Sequence, residues 1–184
     1  PFHLKSRYYP GGDSSRRLLY LDVYGRNALG GYSVEASPSP TRDDLSGTWQ
    51  FFSSLSGGSG NGVSVGSLVY LKVMYRGGHW LFHHGGSVQP GGLGLETAAA
   101  VSDGVDTAAF RAISYRNAKP TGTLLEFGDL IELRKEHTLG ATSELSTDGT
   151  LLDTAGITNG ATVSLALVSG DSDTVAPLVI PAVS

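Results

Sequence analysis

The chain contains no cysteine in 184 residues. Disulfide staples, thiolate metal sites and a cysteine nucleophile are therefore excluded. A reducing, cytoplasmic setting fits this composition, as does secretion without disulfides. Charge is also scarce, at 16% of residues, with 13 Lys+Arg against 17 Asp+Glu and a formal net charge of −4. No Lys/Arg block is present, and sequence-independent nucleic-acid binding depends on such blocks to displace counterions. No run approaches the ~20 apolar residues of a membrane-spanning helix, so no membrane insertion is expected. The first ten residues, PFHLKSRYYP, hold no apolar core of leader length.

Glycine is abundant, at 26 residues. Each glycine inside a helix costs about 1 kcal/mol relative to alanine, whereas tight β-turns use its freedom at positive φ. With 40% hydrophobic residues the composition predicts a single all-β domain covering 1–184, surfaced by Ser, Thr, Gly and Asn.

Three segments match when stacked: LLYLDVY (18–24), LVYLKVM (68–74) and LIELRKE (130–136). Period-2 alternation puts Leu19, Leu21 and Val23 on one face of the first, and Val69, Leu71 and Val73 on one face of the second. The third retains Ile131 and Leu133. A second strand signal follows each: TWQFFS (48–53), AAFRAIS (108–114) and ATVSLALV (161–168). Between the two lie glycine-bearing turns and a short strand. The chain thus reads as strand, turn, strand, irregular stretch and strand, repeated over about 8–57, 58–119 and 120–170. A threefold repeat of this length predicts a β-trefoil, with a β-sandwich or jelly roll as the alternative. Pro177 and Pro181 flank LVI, so 171–184 is expected to be an edge strand or a tail.

The stretch VYLKVMYRGGHWLFHHGGSVQPGG (69–92), followed by DTAAFRAIS (106–114), resembles a fascin-like trefoil repeat. It has an apolar strand, a glycine turn, an aromatic–Leu pair in Trp80 and Leu81, a glycine-rich strand and a Phe-bearing closing strand. The first repeat has Tyr32 followed by Ser33 at the aromatic–Leu point, and the third has neither residue. The resemblance implies the trefoil fold, which places sites in pockets between hairpins. No Ser-His-Asp arrangement, paired general acids or nucleotide fingerprint stands out, so a binding protein rather than an enzyme is expected.

A carbohydrate site needs an aromatic face for the C–H side of a sugar ring and polar side chains for its hydroxyls. The candidates are Arg26, Asn27 and Tyr32 in the first repeat, and Tyr75, Arg76, His79 and Trp80 in the second. His137, Thr138 and Glu144 are the third, which lacks an aromatic. The competing expectation is that Trp80 and Phe82 are core, and that Trp49 is core as well. Ricin-type lectins carry Gln-x-Trp, which is absent here, so no ricin-type site carries over. His79 and His83 stand roughly 13 Å apart on an extended strand, and His83 and His84 point to opposite faces. No metal and no other cofactor is expected. GGSGNGVSVG (57–66) lacks the Lys-Ser/Thr ending of a phosphate loop.

The sequence therefore predicts a lectin whose partners are glycans or glycoproteins, with homodimerisation allowed. Its alternatives are a protease inhibitor acting through an exposed loop (36–47 or 115–122) and a cytoskeletal protein-binding module.

Overall fold

The computed structural model describes residues 1–6, 20–37, 39, 42–56, 62–88, 92–101, 108–139, 144–153, 166–169 and 178–179. Among these residues twelve strands form one connected sheet in which every ladder is antiparallel. They are β1 (Lys5–Ser6), β2 (Tyr20–Arg26), β3 (Tyr32–Ser37), β4 (Trp49–Phe52), β5 (Leu68–Val73) and β6 (His79–Val88). The remainder are β7 (Gly92–Ala98), β8 (Phe110–Ser114), β9 (Leu130–Leu139), β10 (Glu144–Asp153), β11 (Ala166–Ser169) and β12 (Leu178–Val179). Two single-turn 3-10 segments, Tyr75–Gly77 and Tyr115–Asn117, join strands. The fold is all-β, as the glycine content and the period-2 patterning predict.

Pairing repeats three times with one register. Phe2, Val69 and Ile131 face Trp49, Phe110 and Leu178 respectively. Those three residues in turn face Val73, Lys135 and Ser6. Each of Val73, Lys135 and Ser6 lies four residues beyond Val69, Ile131 and Phe2, so the same offset governs all three sets. Leu4, Leu71 and Leu133 stand midway in that offset, and all three are buried. Three hairpins, β2–β3, β6–β7 and β10–β11, accompany these six pairings, and β7 contacts both β3 and β11.

This register differs from the sequence alignment in two places. Stacking LLYLDVY on LVYLKVM and LIELRKE matches Leu21 to Leu71 and Leu133, but Leu21 lies on β2, and Leu4 occupies the matching position. Leu21 is nonetheless buried, at 2% exposure. The third closing strand was expected within 161–168. The strand there, β11, pairs with β10 and β7, and the closing position belongs to β12. Because β12 pairs with β1 on one side and β9 on the other, it is not an edge strand.

Two apolar clusters use opposite strand faces. The larger joins Leu4, Leu21, Trp49, Leu71, Leu81, Phe110 and Leu133. In the smaller, Tyr70, Trp80, Phe82, Ala98, Ala108 and Ala109 come together. Strand β8 shows the clean case: Phe110, Ala112 and Ser114 are buried, while Arg111 and Ile113 are half-buried. Trp49 is fully buried, and its indole N–H donates to the Leu21 carbonyl at 2.9 Å, so no polar group is stranded.

Candidate functional site

All the first-repeat and second-repeat candidates except Trp80 converge on one place. The cause is the docking of the β2–β3 turn against β7. Asn27 organises that turn: its Oδ1 accepts from the Leu29 and Gly31 amides at 3.0 and 2.9 Å. Its Nδ2 donates to the Thr97 carbonyl at 2.9 Å and to the Tyr32 carbonyl and Glu96 Oε2, each at 3.2 Å. Thr97 Oγ1 accepts from the Tyr32 amide and donates to the Tyr32 carbonyl. Asn27 therefore spends both ends of its carboxamide on the fold and leaves nothing for a sugar.

Tyr32 and His79 pack edge to face with centroids 4.9 Å apart, and Tyr75 meets Tyr32 at 5.2 Å. The Arg26 guanidinium sits 5.5 Å from the Tyr32 ring centre, and that of Arg76 4.9 Å from the Tyr75 ring centre. Tyr32 and His79 are 3% and 8% exposed. Burial pushes the His79 imidazole below its ordinary range, with Arg26 and Lys72 adding to the effect and a hydrogen bond with the Tyr75 backbone opposing it. His79 is thus neutral at pH 7. The exposed members of this group are Arg26 and Arg76. Arg76 has φ 44°, followed by glycines at 89° and 83°, so the glycine pair provides the positive φ that the turn after β5 requires.

Trp80 does not offer the stacking face expected of it. It is 7% exposed, meets Phe52 at 5.2 Å in a T-shaped contact, and lies under the Lys72 ammonium at 5.0 Å. The reason is alternation with both faces covered: Leu81 enters the larger cluster and Trp80 and Phe82 enter the smaller. The backbones of His83 and His84 lie in β6, and those of His137, Thr138 and Glu144 lie in β9 and β10. Their side chains lie outside the described residues. Among the described residues no group of three His, Asp or Glu side chains is placed to hold a metal ion.

A different surface gathers polar and aromatic groups outside the sugar-site candidates, with Arg42 and Asp43 coming from the 36–47 loop. Tyr24, in β2, is 50% exposed. The Arg42 guanidinium lies 5.0 Å from its ring centre. Arg42 also reaches three carboxylates: Glu35 at 2.6 Å, Asp22 at 3.5 Å and Asp43 at 3.8 Å. Its Nη2 donates to the Val23 carbonyl at 2.8 Å. Asp22 is fully buried and accepts from the Val23 amide at 2.7 Å. Burial pushes the Asp22 carboxyl above the ordinary carboxylate range, against hydrogen bonding from Ser46 and the charge of Arg42. Glu35 is raised for the same first reason, with Arg42 opposing and Asp22 adding repulsion. One signal in the sequence pointed here: Asp22 is a lone acid in a strand of aliphatics and aromatics.

No family profile matches the chain, and no curated protein matches it. Among solved structures, a Caenorhabditis elegans protein of unknown function aligns with a TM-score of 0.53 at 18% identity. The alignment covers 97% of this chain and 93% of that one, so the two share an overall fold. Among the described residues no helix is long and apolar enough to cross a membrane.

Proposed function

We propose that the chain is a β-trefoil that binds carbohydrate and catalyses no reaction. Support for the trefoil is the threefold register: three strand pairs related by one offset, three accompanying hairpins, and Leu4, Leu71 and Leu133 buried at matching positions.

The observation that carries the sugar reading is the exposed Tyr24 ring beside Arg42 and its carboxylates. A half-exposed phenol ring accepts the C–H face of a pyranose. The Asp43 carboxylate, 55% exposed, accepts hydroxyl hydrogens, while Arg42, engaged with Glu35, Asp22 and the Val23 carbonyl, holds the acids beside the ring. Binding at one site is weak because each hydroxyl exchanges a bond with water for a similar one with protein. Several copies presented together raise avidity. In the 115–122 loop of the inhibitor alternative, Lys119 is held by Asp129 and Glu126 at 2.7 and 3.0 Å, and exposed Arg116 lies 5.2 Å from the Tyr115 ring centre.

A glycan array followed by calorimetry with the best glycan tests this. Tyr24→Ala and Asp43→Ala are expected to abolish binding with the melting point kept. A blank array, or binding untouched by both changes, overturns the proposal. Loss confined to Arg76→Ala returns the site to the Tyr75–Arg76 turn.

A further inference from the structure

A cavity of about 480 Å³ opens where Phe2, Phe51, Phe52 and Val69 meet Leu125 and Phe127. That volume falls within the roughly 300–1,000 Å³ range of small-molecule sites. The walls come from four separate stretches of chain, and backbone hydrogen bonds fix them. Phe2 and Trp49 exchange two bonds of 2.8 Å, and the Leu125 amide donates to the Val63 carbonyl at 2.8 Å. Phe2 and Phe51 stand 4.4 Å apart with their rings tilted by 38°. The pocket is therefore formed before any ligand arrives.

Its chemistry is selective. Four phenylalanines dominate the lining, and the neutral polar groups are Gln50, Ser53 and Ser67. Among the described lining residues Glu126 is the one charged group; it is 77% exposed and pairs at 3.0 Å with Lys119, which Asp129 shares at 2.7 Å. A charged ligand entering the apolar walls loses hydration without a partner. Phe127 lines the pocket yet is 59% exposed. Leaving that ring in water is unfavourable, and a ligand beneath it removes the exposure.

We propose that this cavity binds a neutral aromatic small molecule bearing one hydrogen-bonding substituent, placed between Phe51 and Phe127. The site is independent of the carbohydrate reading and shares no residue with the Tyr24–Arg42 surface.

The probe is N-phenyl-1-naphthylamine, a neutral dye with one N–H whose fluorescence rises in apolar surroundings. Saturable, one-to-one enhancement is expected with the intact chain. Phe127→Ala removes a largely exposed ring, so the chain stays folded, and the dye affinity is expected to fall by at least about fivefold. Ser67→Phe places a ring in the space and is expected to abolish binding. Should that variant fail to fold, Phe127→Ala alone decides. Enhancement that does not saturate, or is equal in Phe127→Ala, overturns the proposal. It is overturned equally if sedimentation shows a dimer that excludes the dye and is lost in Phe127→Ala, because the cavity is then covered by a second copy.

Discussion

Asp22 and Glu35 stand directly opposite each other across the β2–β3 ladder, so two carboxylates share one register position. Like charges in that relation repel, and burial raises the proton affinity of both. Arg42 is the compensating group, reaching Glu35 at 2.6 Å and Asp22 at 3.5 Å.

Arg42→Met is therefore expected to destabilise the protein by roughly 1–3 kcal/mol at pH 7, the range for a buried polar group left without its partner. The loss should shrink as pH falls. Both folded-state affinities lie above those of the unfolded chain, so the folded state binds more protons between the ordinary carboxylate range and the raised values. Acidification through that window relieves the repulsion that Arg42 otherwise offsets. Urea denaturation at several pH values measures this, and a loss that does not vary with pH contradicts the role assigned to Arg42.

The threefold register assigns Leu4 the position of Leu71 and Leu133. Each of the three changed to Ala should cost roughly 2–5 kcal/mol, although Leu4 precedes a strand of only two residues. A cost below about 1 kcal/mol for Leu4→Ala in denaturant titration separates Leu4 from the other two and breaks the equivalence.

The sequence carried the class of the fold in its glycine turns and in alternations such as Val69, Leu71 and Val73. It misled on register because LLYLDVY resembles LVYLKVM over seven residues, while the true counterpart, His3–Leu4–Lys5 beside Tyr70–Leu71–Lys72, is shorter. Backbone pairing, not similarity of side chains, decides which strands correspond. The site was less legible. Exposure of Trp80 cannot be read from alternation when both faces of its strand are covered. The Arg42 network joins residues up to 21 positions apart, from Asp22 to Asp43, and no local pattern announces it.

Trp80→Ala is expected to cost about 3–5 kcal/mol, the range for emptying a buried aromatic position, since the indole fills the cluster with Tyr70, Phe82 and Ala98. Glycan binding per folded molecule should be unchanged. A Trp80→Ala chain with wild-type melting and no glycan binding reverses both statements.

Gly31 is the tightest backbone approach in the β2–β3 turn. A Cβ there would lie 1.8 Å from the Thr97 carbonyl oxygen, which is backbone and cannot swing aside. Gly31→Ala should therefore lever the turn off β7, break the Asn27–Thr97 bond, and cost roughly 3 kcal/mol or more. Faster amide exchange at Tyr32 reports the event, and unchanged protection there refutes it.

His79 supplies the last prediction, and its sign opposes that of the acids. Its imidazole is held below the ordinary histidine range by burial, so between its folded value and about 6.5 the unfolded chain is protonated and the folded chain is not. Stability contributed by neutral His79 is thus complete above that window and is lost as pH falls through it. Asp22 and Glu35 act with the opposite sign, because folding raises their proton affinity. The wild-type pH dependence therefore contains two contributions of opposite sign. His79→Gln removes one of them while its amide N–H takes over the hydrogen bond to the Tyr75 backbone. The variant should be less stable than wild type at pH 7, where the Tyr32 and Tyr75 rings lose an aromatic neighbour, and should close that gap on acidification. Melting temperatures at half-unit pH steps decide: a gap that stays constant from pH 7 to pH 5 means that His79 titrates alike in both states and that its burial against Tyr32 carries no electrostatic cost.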